Sequence, residues 1–404
     1  MGNASVTGVA ASSAASSDVL PVVKGRRIIA LYDDEDNELV PQSIDASSLL
    51  VDASKLWGDV AAAERSTPPA SRHCFVLCHG LSAFSTDLRV LEETLSSAGS
   101  PVLCSSSNEW TESFKGVHEC AEALVAEIAD FLASRPEVTH ISLVGNSLGG
   151  VIIRVAAKLL HSVNWLGLEP YFYMSIACPH LGVRHFTYLE SEVLGKALHS
   201  SIRDPLVDLM STALRKTGKE LLLRDAPNMK DSFMFKLATE REALDAMRAF
   251  KERRLFANLA NDLVVPLATA AFVKDDICKA LRERHSNEED VVAVLVARRR
   301  PPIDPSVGWG GREGQDEDTA CLEEMRSSLD ALGWTKCIAH YPSVFPTAHS
   351  KIAAITRNPT FLHSSLLDFQ RGRQTMQAAA LWLSGNGESE RADARLRNVP
   401  NPLA

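Results

Sequence analysis

The sequence contains no apolar run long enough to span a bilayer, which argues against an integral membrane protein. It has no excess of basic charge: 42 Lys and Arg stand against 51 Asp and Glu, a net of −9. That balance disfavours nucleic acid as the main partner. Its eight cysteines carry no CxxC pair and no Cys/His ligand spacing, so neither a zinc site nor a disulfide framework is expected. Cys74, Cys78, Cys104 and Cys178 fall in apolar, strand-like runs, where a free thiol packs as a small hydrophobe in a reduced compartment. No internal repeat is found. The first residues, MGNASVTGVAASSAASSD, lack a basic n-region and do not read as a secretory signal. Gly2 invites N-myristoylation, but Val6 stands where that pattern wants Ser or Thr, so a flexible tail is the expectation.

What is present is an ordinary globular composition, 45% hydrophobic and 23% charged, with a regular alternation from about residue 73. CFVLCHG (74–80) and PVLCSSS (101–107) are short apolar runs of the kind that form buried strands. Val117, Ala121, Leu124, Val125, Ile128 and Leu132 recur at helical spacing, and Pro136 ends that helix. HISLVGNS is the next strand, LGGVIIRVAAKLLH the next helix, YFYMSIACP and LFANLA further strands, and KCIAHYP the last. Strands alternating with helices predict an α/β fold with a mostly parallel central sheet covered by helices.

Two regions interrupt the alternation. Residues 180–250 show helical patterns and no clear strand, as a helical cap insertion would. Residues 276–335 are highly charged, with RRRPPIDP and GWGGREGQDEDTA, and read as a surface loop or partly disordered insert. Within it VVAVLV fits a strand or a helix. The expected layout is an N-terminal extension over 1–70, one domain over 71–385, and a flexible tail over 386–404.

The chemistry centres on Gly145-Asn146-Ser147-Leu148-Gly149, a G-x-S-x-G motif between a strand and a helix. A serine aimed out of a sheet needs a very tight strand-to-helix turn. Side chains at 145 and 149 would collide with neighbouring backbone, and Gly150 lets the helix pack closely. The helix N-terminus beneath the serine favours developing negative charge, with the Leu148 N–H as one oxyanion donor.

A serine hydroxyl is a poor nucleophile and needs a base steadied by an acid. Asp262, in ANDLVVP after a strand, is the candidate acid, while Asn261 or Asp262 could equally make an Asx turn. For the base, His349 is favoured because it falls in a loop after the last strand. His340, on that strand, and His363 are the alternatives. His79-Gly80-Leu81 opens the loop after the first strand, with Leu81 the second N–H donor and His79 structural. The sequence thus reads as a Ser147–His349–Asp262 triad that needs no metal or organic cofactor.

Together these residues resemble the eukaryotic lipase-like serine esterases of the α/β-hydrolase superfamily. The resemblance is carried by VLCHGLSAFSTDL, LVGNSLGGVIIR, ACPHLGVR, TGKELLLRD and RLFANLANDLVVP, and covers about 73–275 and 336–383. The chain departs from the family at Ala83, where relatives often have glycine, and in the length of the 276–335 insert. The resemblance implies an α/β-hydrolase fold and a carboxylic ester hydrolase acting on lipid or acylglycerol-like substrates. The cysteine usage leads to the expectation of a cytoplasmic protein, with a peripheral membrane or lipid-droplet location as the alternative. The resemblance makes His180 of the P-H-L-G segment structural, and leaves open whether Leu181 and Phe186 line an acyl pocket or pack. A catalytically silent lipid-binding or docking module, and an acyltransferase, are the alternative functions.

Overall fold

The computed structural model describes residues 68–184, 212–285, 287, 290–297, 316–341, 348–355 and 370–383. The N-terminal extension up to residue 67, with Gly2, and Phe186, His363 and the C-terminal tail lie outside them.

The regular structure begins with β1 (His73–Cys78), α1 (Arg89–Ser97), β2 (Val102–Cys104), α2 (Val117–Ala133), β3 (His140–Asn146), α3 (Leu148–Ser162) and β4 (Glu169–Ile176). Among the described residues three helices follow without a strand: α4 (Arg215–Leu221), α5 (Phe233–Thr239) and α6 (Arg241–Ala249). Then come β5 (Glu252–Asn258), α7 (Leu267–Ala270), α8 (Asp275–His285), β6 (Asp290–Ala297), α9 (Glu317–Asp330), β7 (Trp334–His340), α10 (Ala348–Ile352) and α11 (Gln370–Leu383).

The strands form one seven-stranded sheet in the order β2-β1-β3-β4-β5-β7-β6. All neighbours run parallel except β6, which pairs antiparallel with β7 at the edge. Parallel strands need helical crossovers and both faces covered, which is why β1 is apolar from Cys74 to Cys78 rather than alternating. Cys74, Val76 and Cys78 face the cluster that includes residues of α2, α3, α5 and α6. Phe75 and Leu77 face the opposite cluster, with Leu91 and Leu95 of α1 and Met376 and Ala380 of α11. This is the α/β-hydrolase arrangement.

The charged stretch expected to be a surface loop contributes α8, the edge strand β6 and helix α9. VVAVLV is a strand. Asp316 caps α9, its side chain accepting from the Thr319 N–H at 2.9 Å, and Cys321, Met325, Ser328 and Leu329 are its buried face. The charges stand on the other faces of that helix, so charge density hid it, while RRRPPIDP and most of GWGGREGQDEDTA lie outside the described residues. Among the described residues no helix is long and apolar enough to cross a membrane.

Candidate active site

In an open parallel sheet the strands deliver their loops to one edge, at their C-terminal ends, and a crevice there collects side chains from distant parts of the chain. Ser147 follows β3 directly, at φ 53° and ψ −124°. The left-handed region costs an L-residue roughly 1–3 kcal/mol and is held only by its surroundings. Those surroundings are backbone. The Ser147 N–H donates to the Ile176 carbonyl at 2.8 Å, and Asn146 Nδ2 donates to the same oxygen at 3.2 Å. A Cβ on Gly149 would lie 2.2 Å from the Cys78 oxygen and 2.5 Å from the His79 oxygen, and one on Gly145 2.5 Å from Gly149 backbone. The turn is possible only because these positions are bare. At Gly150 the neighbour is a side chain instead, a Cβ there lying 2.5 Å from Cys178 Sγ.

Ser147 keeps 8% of its surface exposed, and its hydroxyl meets His349 Nε2 at 3.0 Å. His349 Nδ1 meets Asp262 Oδ2 at 2.9 Å. The structure therefore brings together three residues drawn from three separate stretches of the chain. His349 stands in the first turn of the short helix α10, not in a loop as the sequence suggested. That helix is tied to the loop carrying the acid by the Ala348 N–H, which donates to the Asn261 carbonyl at 3.3 Å. His340 sits on β7, paired in register with Asp290; His349 is the ring that reaches Ser147.

Asp262 makes its Asx turn and its histidine contact at once. Oδ1 accepts from the Val264 and Val265 N–H groups at 3.0 and 2.8 Å. Oδ2 accepts from Asn258 Nδ2 at 2.7 Å as well as from the imidazole. Four donors fix the carboxylate in place. Asn258, at the end of β5 and 1% exposed, is a support the sequence reading did not single out. No spacing rule marks it, and only the return of the chain from β5 to residue 262 puts the two side chains together.

Leu148 is the first residue of α3, so its N–H has no carbonyl one turn back to bond, and the 15-residue helix adds its dipole at that end. Gly80 lies against the nucleophile, a Cβ there being 3.0 Å from Ser147 Cβ, and Leu81 follows it. His79 Nδ1 is hydrogen-bonded to the Gly80 carbonyl at 3.0 Å, a structural contact. The departure from the family at Ala83 costs nothing in backbone strain, because the left-handed residue of this loop is Ser82, at φ 50°.

The P-H-L-G segment is scaffold. His180 is fully buried, its Nε2 bonded to Ser175 Oγ at 2.8 Å. Burial, then the Arg154 and Lys336 charges, push its pKa well below the usual imidazole range, so it stays neutral. Arg154 of α3 donates to the His180 and Leu237 carbonyls at 3.2 and 2.9 Å. Leu181 is fully buried in the core cluster that includes residues of α3.

A serine, imidazole and carboxylate in line, beside two candidate N–H donors, make a site for nucleophilic acyl transfer. Comparison with known proteins leads to the same class. Residues 68–279, just over half of the chain, match a family model described as "Putative serine esterase (DUF676)". The chain belongs to this serine esterase family. The esterase-family chain is 29% identical over 299 residues to "Putative lipase C4A8.10" of Schizosaccharomyces pombe, covering 69% of this chain and 35% of that protein. It is 27% identical over 237 residues to "Putative lipase ROG1" of Saccharomyces cerevisiae, covering 55% and 32%. It thus spans about a third of the length of these curated relatives. Among solved structures, Bacillus licheniformis lipase BlEst2 in its propeptide form is similar at 13% identity and a TM-score of 0.32, over 49% of this chain and 38% of that one. An extracellular α/β-hydrolase from a Paenibacillus species is similar at 11% identity and a TM-score of 0.30, over 63% and 98%.

Proposed function

We propose that this member of the serine esterase family hydrolyses carboxylic esters of lipid or acylglycerol type through a covalent acyl-enzyme. Ser147 Oγ attacks the ester carbonyl carbon, and its proton passes to His349 Nε2. Asp262 holds the imidazole in the tautomer that can accept that proton and stabilises the resulting imidazolium. The carbonyl oxygen becomes an anion between the Leu81 and Leu148 N–H groups. The tetrahedral adduct collapses by expelling the alcohol, which takes the proton from His349. Water then attacks the acyl-enzyme, gives its proton to His349, and releases the acid and free Ser147.

The observation that carries this reading is the continuous chain from Ser147 through His349 to Asp262, at 3.0 and 2.9 Å. The yeast relatives' names support the lipid side of it. So does the placing of apolar surface: Phe84, Trp110 and Val264 are three of the five exposed large hydrophobics among the described residues. They follow β1, β2 and β5, on the loops at the strand ends where Ser147 also sits. Such groups suit contact with a membrane or lipid-droplet surface, and the free thiols suit a cytoplasmic setting. Purified protein is expected to turn over p-nitrophenyl butyrate, and Ser147→Ala to abolish the turnover while staying folded. Equal rates for the two proteins reject the nucleophile.

A further inference from the structure

We propose that Ser113 is the positioning residue of the oxyanion hole: its hydroxyl aims the Leu81 N–H by holding Ser82 in a left-handed turn. The proposal rests on the serine-hydrolase reading above.

Leu81 donates usefully only if the loop after β1 keeps one shape, since a preorganised donor costs nothing to reorient as charge develops. That loop turns at Ser82, with φ 50°. Glycine adopts such a conformation freely, and serine does not. Left to itself Ser82 would relax to negative φ. The change would be absorbed by the adjoining dihedrals of Leu81 and Gly80, tilting the Leu81 N–H away from the nucleophile.

What prevents this comes from a separate stretch, the short 3-10 helix Trp110–Phe114. The Ser82 N–H donates to Ser113 Oγ at 3.0 Å. That hydroxyl in turn donates to the Trp110 carbonyl at 2.6 Å, so it is fixed as an acceptor toward Ser82. The Trp110 N–H closes the ring by donating to the Ala83 carbonyl at 3.0 Å. Ser113 is itself held from below. Thr217 Oγ1 donates to the Ser113 carbonyl at 2.8 Å and accepts from the Gly116 N–H at 2.9 Å. Ser113 and Thr217 are both fully buried, so each lost bond would strand a polar group away from water. The T-G-x-x-L-x-L-x-D segment thereby acquires a physical role: its threonine braces the serine that braces the oxyanion loop.

The test compares kcat and KM for p-nitrophenyl butyrate across a small set of variants. Removing an oxyanion donor outright costs about 10²–10³ in kcat, so misaiming one in Ser113→Ala should cost about tenfold to a hundredfold, with KM within about twofold. Ser113→Thr keeps the hydroxyl and should retain kcat. The decisive readout is Ser82→Gly in the Ser113→Ala background. Glycine takes the turn without help, so kcat should recover severalfold, a response that a merely structural loss at Ser113 would not give. Ser113→Ala within twofold of the parent, or a kcat loss that Ser82→Gly leaves unchanged, overturns the proposal. Should Ser113→Ala not fold, Thr217→Val carries the same comparison, and an unaltered kcat there overturns it. An inactive parent protein instead refutes the hydrolase reading, and the brace with it.

Discussion

Asp262→Asn separates the charge of the acid from its shape. In the native site Oδ1 accepts two backbone N–H groups, at 3.0 and 2.8 Å, and the asparagine carbonyl can keep both. The new NH2 replaces Oδ2, which accepts from Asn258 Nδ2 at 2.7 Å and His349 Nδ1 at 2.9 Å. Asn258 can adapt by turning its amide, because its Oδ1 has no hydrogen-bond partner among the described residues. His349 cannot adapt harmlessly. To face a donor its Nδ1 must give up the proton, which moves to Nε2, and an Nε2–H cannot accept from Ser147. The expected loss in kcat is therefore that of a wrong tautomer in an intact site, about 10⁴-fold. The stability cost is that of weakening charge-assisted bonds, about 1.5–3 kcal/mol, or a fall in Tm of about 2–5 °C for a domain of this size. Asp262→Ala should lose more stability, because it strips the Val264 and Val265 N–H groups as well. The assay is steady-state ester hydrolysis with thermal unfolding on the same samples. Asp262→Asn retaining kcat within tenfold of the parent refutes the tautomer reasoning.

Gly149→Ala drives a Cβ to within 2.2 Å of the Cys78 carbonyl oxygen, and neither partner is a side chain that can turn aside. Helix α3 must shift off β1, at a cost of about 3 kcal/mol or more, read as a depressed Tm or loss of soluble protein. A native Tm contradicts the packing account of the elbow. Glu220 offers a pH signature. Burial, only partly offset by the Val117 N–H bond at 2.7 Å and by Lys216, raises its carboxyl from 4.5 to about 7. A raised folded-state pKa means that the neutral form is favoured on folding. The contribution is full below about pH 4.5 and is lost as pH rises through about 7. Glu220→Gln, which keeps an acceptor for Val117, should gain Tm relative to the parent between pH 4.5 and 8, and a constant difference across that range contradicts the shift.

Much of this was legible in the sequence, for identifiable reasons. Parallel strands covered on both faces must be largely apolar, so CFVLC announces itself. The elbow is legible because its glycines are demanded by backbone collisions that any chain making this turn would meet. Helix α9 was hidden by its charge, although Cys321, Met325 and Leu329 recur every four residues and mark its buried stripe. His349 was favoured as the candidate base but placed in a loop, because Pro346 and the brevity of the five-residue helix α10 give little periodicity to detect. Asn258 and Ser113 left no trace, since each acts on a residue that only the finished fold brings within reach.

The most direct measurement is labelling of the folded protein with a fluorophosphonate probe, with the modified peptide mapped. The account predicts covalent modification at Ser147, slowed at least about a thousandfold in His349→Ala, where the hydroxyl loses its base. Folded protein that stays unlabelled, or labels at the same rate without His349, contradicts it.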